Sequence, residues 1–360
     1  MKTFLSFLFL LGAAWLAAQV PRLVVPIGHT GDITSVAFSP DEKYILTGSS
    51  DHTAKLWDLE GREIQTFTGH AGGVNSVGFS PDGKMVLTGS GDNTAKIWDL
   101  EGREIQTFSG HGSIMAFSPD GKMVLTGSED KTAKLWNLNG HKIQTFSGHT
   151  DKVLSVAFSP DGKMVLTSSL DKTAKLWGLN GHEIQTFSRE YLFVFSAAFS
   201  PDGKMVLTSH GVAQCWDLNG EEIQTFAVGG VTVSTFSPSG KMILTNGGES
   251  ADLWDLNGQE IQMFSGHSAG LTSVAFSPDG KMALTGTEDG PANLWDLNGH
   301  EIQTFSGHSG GVRSVAFSPD GKMVLTGNSY GTAKLWDLNG HEIQTFSYDF
   351  SRVNSVAFSP

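Results

Sequence analysis

The chain has 360 residues and sets 37 acidic side chains against 24 basic ones, a formal charge of -13 at neutral pH. A surface that acidic repels phosphate backbones and lacks the basic stripe that nucleic-acid binding requires, which excludes nucleic acid as a partner. The single cysteine, Cys215, allows no internal disulfide; it stands where other parts of the chain place Leu56, Ile97 or Leu135 and reads as a small apolar core residue.

The first eighteen residues have the layout of a secretory signal peptide: a lone Lys2, an apolar run from Phe4 to Ala18, and the small residues Ala17 and Ala18 before Gln19. That run is short of the ~20 residues a membrane-spanning helix needs. The expectation is therefore cleavage after Ala18 and a mature chain (19–360) that is exported, periplasmic or secreted, and not inserted in the membrane. No Asn-Xaa-Ser/Thr acceptor site accompanies the signal.

From there a single unit repeats. Trp57, Trp98, Trp136, Trp177, Trp216, Trp254, Trp295 and Trp336 follow one another at intervals of 38 to 41 residues. A unit of that size cannot bury its own apolar face, so a period this regular means stacked copies of one supersecondary element. The first unit reads Gly28-His29, then apolar and β-branched segments at 33–38, 44–48, 53–59 and 63–67, separated by turn residues. Four such segments predict a four-stranded antiparallel meander. Pro-Asp-Gly, as at 81–83 and 160–162, sets one reversal because Pro fixes φ and Gly accepts positive φ. Asn-Gly, as at 139–140 and 180–181, sets the hairpin between the third and fourth strands.

Gly-His recurs at 28, 69, 110, 148, 266 and 307, and Trp-Asp at 57, 98, 216, 254, 295 and 336, with Asn137 and Gly178 after the remaining two tryptophans. On these motifs the chain resembles the WD40 repeat family, whose units form the blades of a β-propeller. The resemblance implies an all-β propeller of about eight four-stranded antiparallel blades, eight complete repeats plus an incomplete ninth at 347–360.

The family further implies a hydrogen-bonded series of His, Ser/Thr, Asp and Trp inside each blade. By motif position these tetrads are His29, Thr47, Asp51 and Trp57; His70, Thr88, Asp92 and Trp98; His111, Thr126, Asp130 and Trp136; His149, Thr167, Asp171 and Trp177; and His267, Thr285, Asp289 and Trp295. The same residue types make up hydrolytic triads. Repetition in five blades argues for a structural role, because catalysis needs one exposed nucleophile beside an oxyanion site. His141, His182, His300 and His341 sit singly in separate hairpins, where they cannot converge on one metal ion. No catalytic residue, metal or cofactor is expected.

Departures from the repeat carry the specific information. The fifth unit has Arg189-Glu190 for Gly-His and a turn two residues shorter; the sixth has Val228-Gly229 there and no Asp in its turn; the eighth puts Tyr330 where the Asp belongs. Entering the fifth unit, the chain reads Tyr191-Leu192-Phe193-Val194-Phe195, where other units are polar or small. Family geometry places this loop on the narrow face, where partners dock. With Lys152 and Leu154 of the neighbouring unit it forms a candidate partner-binding patch; the alternative is that the aromatics turn inward to fill space left by the missing His.

Ring closure stays open between two expectations: Arg22 to Ile27 pairs as a strand with the ninth fragment, or the chain continues beyond Pro360. The functional expectation is a non-catalytic scaffold presenting its faces to protein partners of unknown identity outside the cytoplasm. The alternative is the sensor or docking propeller of a longer multidomain enzyme, with a peptidase-like or kinase-like effector beyond Pro360.

Overall fold

The computed structural model describes residues 28–112, 114–188, 194, 196–231, 233–347 and 355–358. The expected signal peptide and the segment Arg22 to Ile27 lie outside the described residues. Eight sheets follow one another along the chain, each built on a four-stranded antiparallel blade, and no helix occurs among the described residues. In blade one the strands are Ile33–Phe38, Tyr44–Ser49, Thr53–Asp58 and Glu63–Thr68, in sheet order one to four.

Burial follows position in the blade. Strand two is buried on both faces, because it is covered by the blades before and after it; in blade two every residue of Met85–Ser90 except Met85 is buried. Strand four is the outer edge. In Glu104–Ser109 only Phe108 is buried. That one phenylalanine makes the joint between blades: Phe67 packs against Trp98 with ring centroids 5.8 Å apart. The same pair recurs at every joint, at 5.4 Å for Phe108 and Trp136 and 6.0 Å for Phe226 and Trp254. At the last joint Phe346 meets Trp57 at 5.8 Å, so blade eight closes on blade one by the contact used everywhere else. Ile33, Val36, Ala316, Leu325 and Leu335 fill one core across that junction.

A second device repeats at the rim. The hairpin glycine between strands three and four takes a left-handed conformation, φ 80° at Gly140, and the Gln106 side chain of the preceding blade lies where a Cβ would be. Gln344 covers Gly61 in the same way across the closing joint. Glycine is required here twice over, for its φ and for the close approach.

The ninth fragment supplies a strand, Ser355–Phe358, which runs parallel to the first strand of blade one with Ser35 opposite Ser355 and Phe38 opposite Phe358. Its described partner is thus blade one and not a separate ninth blade. The first strands of blades one to six line a cavity of about 700 Å³ whose walls include Val77, Phe79, Phe117, Phe158, Phe199 and Phe236.

First strands shorten where the repeat departs from its pattern. Six residues in blade one become four in blade five (Ser196–Phe199) and three in blade six (Ser234–Phe236). Blade three also has only four, Ile114–Phe117.

Since one joint serves the whole ring, Phe346→Ala at the closing junction is expected to cost about 3–5 kcal/mol, as much as Phe146→Ala inside the ring. Urea denaturation of both variants checks this; a Phe346→Ala midpoint close to wild type would mean that blades eight and one are not held together by this pair.

Candidate functional site

Every blade hangs its polar chemistry on one threonine at the middle of strand two. In blade two the Trp98 indole N–H donates to Thr88 Oγ1 at 2.8 Å, and Thr88 Oγ1 lies 2.8 Å from His70 Nε2. His70 Nδ1 is 3.0 Å from Asp92 Oδ2. These partners assign the tautomer: the indole donates to the hydroxyl, the hydroxyl to Nε2, and Nδ1–H to the carboxylate. Blades one and four bring together His29, Thr47, Asp51 and Trp57, and His149, Thr167, Asp171 and Trp177, with all corresponding distances between 2.7 and 2.9 Å.

The electrostatics fit a neutral imidazole beside an anionic carboxylate. Burial lowers His70 and His149 below the ordinary histidine value although an aspartate adjoins each. Burial alone would raise the Asp92 carboxyl, but hydrogen bonds from Thr94, the Ala71 amide and His70 hold it well below the carboxylate range. The threonine hydroxyl is occupied by two buried rings. It has no freedom to act as a nucleophile.

Blade three reaches the same end with the ring turned over. His111 presents Nε2 to Asp130 at 2.9 Å and Nδ1 to Thr126 at 3.4 Å, while Trp136 still donates to Thr126 at 2.9 Å. His and Asp are 19 residues apart here and 22 in blade two, because the loop into strand one is three residues shorter. That deletion is visible between His111 and Phe117 and was not among the departures read from the sequence.

Blade seven departs from the expected tetrad. His267 Nε2 meets Thr285 at 2.9 Å and Trp295 donates to Thr285 at 3.0 Å, but Nδ1 turns to the Glu249 carbonyl at 3.1 Å and Asp289 accepts from Ser268 instead. Two residues after the aspartate the other blades have threonine, whose amide and hydroxyl fix the carboxylate, as Thr94 does for Asp92. Blade seven has Pro291, which offers neither donor.

In blades five, six and eight the series is shortened. Trp216 donates to Thr208 at 2.9 Å and Trp254 to Thr245 at 3.0 Å. His308 reaches Thr326 at 2.7 Å, but its Nδ1 is buried without a hydrogen-bond partner where Tyr330 replaces aspartate. Burial, reinforced by the nearby Lys334 charge, pushes His308 down to about 4.

A second polar cluster lies between strands three and four. In blade one Lys55 Nζ contacts Glu63 at 2.7 Å and Thr66 at 2.9 Å and stands 6.0 Å from the Trp57 ring centroid. Lys96, Lys175 and Lys334 repeat this arrangement. The corresponding residues of blades five, six and seven are Gln214, Asp252 and Asn293.

Of the candidate partner patch, Tyr191, Leu192, Phe193 and Phe195 lie outside the described residues. Val194 is 2% exposed and packs with Leu166, Leu176 and Ala197 in the core between blades four and five. Leu154 is half-buried, and Lys152 pairs with Glu129 at 2.5 Å. The hairpin histidines stay apart: His300 and His341 each bond an aspartate of their own hairpin at 2.9 Å. Among the described residues no group of three or more His, Cys, Asp or Glu is placed to hold a metal ion. Cys215 is fully buried, and burial pushes its thiol up to about 12.

The family model described as "WD domain, G-beta repeat" matches residues 21–58, 61–99, 102–137, 140–178, 258–296 and 299–337. The chain belongs to the WD40 repeat family. The WD40 matches pass over residues 179–257, which hold all of blade five and the first three strands of blade six, where the Gly-His motif is missing. Curated relatives are similar over single repeats: Protein HIR1 of Kluyveromyces lactis is 49% identical over 37 residues, 10% of this chain and 4% of its own. Target of rapamycin complex subunit wat1 of Schizosaccharomyces pombe is 37% identical over 49 residues, 14% of this chain and 15% of its own. Human eukaryotic translation initiation factor 3 subunit I is 41% identical over 46 residues, 13% and 14% of the two chains. The chain thus spans at most 15% of the length of these relatives. The computationally designed Ika8 protein is similar as a solved structure, with a TM-score of 0.75 and 27% identity over 86% of this chain and 98% of its own.

His308 provides a test of the relay. Its folded-state value lies below the ~6.5 of an unfolded chain, so the unfolded state binds the proton first and stability falls as pH drops from about 6.5 to about 4. Tyr330→Asp supplies the missing acceptor. Histidine NMR titration is expected to show His308 raised in that variant, with a gain of about 1 kcal/mol in unfolding free energy at neutral pH; an unmoved His308 contradicts the assigned relay.

Proposed function

We propose that this WD40 propeller is a non-catalytic scaffold that binds a protein partner outside the cytoplasm. One observation carries the non-catalytic part of the reading: the residues that resemble hydrolytic machinery are used, blade after blade, to satisfy a buried indole. Thr47, Thr88 and Thr167 are each fully or almost fully buried and held by two rings, and none faces a cleft. The stiffness supports the binding part. Eight Phe–Trp joints space the blades evenly, a rigid framework of the kind on which loops serve recognition. WD40 propellers in general are protein-interaction scaffolds, and the relatives named above belong to the same repeat class.

Export rests on the signal-like residues 1–18, and the acidic charge argues for a protein partner over nucleic acid. The proposed contact region is Tyr191, Leu192, Phe193 and Phe195 of the connection into blade five, together with Lys152 and Leu154 of blade four; the core residue Val194 is not part of it. Lys152 carries a charged partner of its own, Glu129 of blade three, at 2.5 Å.

The test is photo-crosslinking capture from the exported fraction with wild type, Phe193→Asp and Lys152→Glu. Wild type is expected to yield a specific cross-linked protein. Each variant is expected to weaken capture by about tenfold or more with an unchanged thermal midpoint. Loss of stability in Phe193→Asp, with capture by the folded fraction intact, would place Phe193 in the core and refute the contact region.

A further inference from the structure

Four blades show what the cleft between strands three and four accommodates: an ammonium group, supplied by the chain's own lysine. Lys96, for example, lies 2.8 Å from Glu104, 2.8 Å from Thr107 and 5.8 Å from the Trp98 ring centroid. A carboxylate, a hydroxyl and an aromatic face form its surroundings. Each component attracts a cation.

Blade six keeps this frame and lacks the cation. Asp252 takes the lysine's place, opposite Met263 in the same register that sets Lys55 opposite Thr66 in blade one. Glu260 takes the place of Glu63, opposite the tryptophan across the same bulge. Asp252 is 1% exposed, and neither of its carboxylate oxygens has a hydrogen-bond partner. A carboxylate taken out of water is costly to ionise: burial outweighs the nearby Ser250 hydroxyl and raises the Asp252 carboxyl above the ordinary aspartate value, a shift that a cation placed beside it would reverse. The neighbours of Asp252 reach solvent: Trp254 is partly exposed where the tryptophans of blades two, four and eight are buried, and Glu260 and Met263 are exposed. Blade six has Val228-Gly229 where blade two has the Gly69-His70 that packs against Trp98.

We propose that the Asp252–Glu260–Trp254 cleft of blade six receives a lysine or arginine side chain from a protein partner, placing a cation where four other blades carry their own. This deepens the scaffold reading and rests on it. The donor set favours an ammonium or guanidinium over a metal: hard divalent cations take six or more oxygen ligands, whereas this cleft offers two carboxylates, an indole face and a thioether. The flanking blades show the contrast. Gln214 Nε2 donates to Glu222 and Thr225 in blade five and Asn293 Nδ2 to Thr304 in blade seven, so a neutral amide takes the lysine's place there, whereas blade six puts a carboxylate in it.

The probe is a labelled hexalysine peptide, titrated by fluorescence anisotropy into the full chain at ~0.15 M salt, where exposed charges are screened beyond ~8 Å. Wild type is expected to bind it. Asp252→Lys, which installs the residue of the other blades beside Glu260, is expected to weaken binding by about tenfold or more and to raise the thermal midpoint. Asp252→Asn is expected to weaken binding without raising the midpoint. Glu221→Lys, the same charge change on an exposed hairpin, is expected to alter affinity by less than about twofold. Equal losses from Glu221→Lys and Asp252→Lys would show a general field and overturn the assignment. So would stabilisation by calcium that hexalysine does not match. If wild type captures no partner in the cross-linking experiment, the scaffold reading fails. If it captures one that Asp252→Lys captures equally well, the scaffold stands and this cleft is not its contact.

Discussion

A buried indole with one polar hydrogen governs this molecule. The tryptophan of strand three must place its ring in the core and its N–H on an acceptor, because a stranded donor costs about 1–3 kcal/mol. The threonine of strand two supplies the acceptor in every blade, from Trp57 and Thr47 to Trp336 and Thr326. The ring face then receives the phenylalanine of the preceding blade, as Phe305 meets Trp336. One side chain therefore fixes strand register within a blade and spacing between blades. The circle closes because the eighth phenylalanine finds the first tryptophan.

Histidine and aspartate are secondary to that strut. Where both are present they extend the series to the surface and tie the loop before strand one to the turn before strand three. Where they are absent the indole–threonine bond persists, at 2.9 Å in blade five and 3.0 Å in blade six. The tetrad is thus a brace on the loops, and its loss frees loop and cleft surface. In blade six the missing lysine follows the same direction: Asp252 in its place leaves buried oxygens that an external cation would satisfy.

Much of this was legible in the sequence because the repeat reports itself many times. Blade number, strand order and the turn glycines follow from period and turn chemistry, and the positions of His70, Thr88, Asp92 and Trp98 follow from motif spacing. The tilt of His267 away from Asp289 was legible in principle, through Pro291, but only by asking which donors hold the carboxylate. The flipped imidazole of His111 required counting the shortened loop. Asp252 was less accessible still: a substitution inside a strand at an outward-reading position gives no sign of being 1% exposed until the neighbouring strand and its Glu260 are placed. Val194 read as part of an aromatic loop, although its register with Val74 and Val153 makes it a core residue.

The most direct test of the account is the exchange rate of the indole N–H protons, resolved by NMR and assigned by single Trp→Phe substitutions. A closed ring of equivalent joints predicts slow exchange for Trp57 and Trp336 on either side of the closing junction, comparable to Trp98 and Trp177 inside the ring, with partly exposed Trp254 the fastest of the eight repeat tryptophans. Exchange at Trp57 near the rate of a free indole, while Trp98 and Trp177 stay protected, would show an open ring and contradict it.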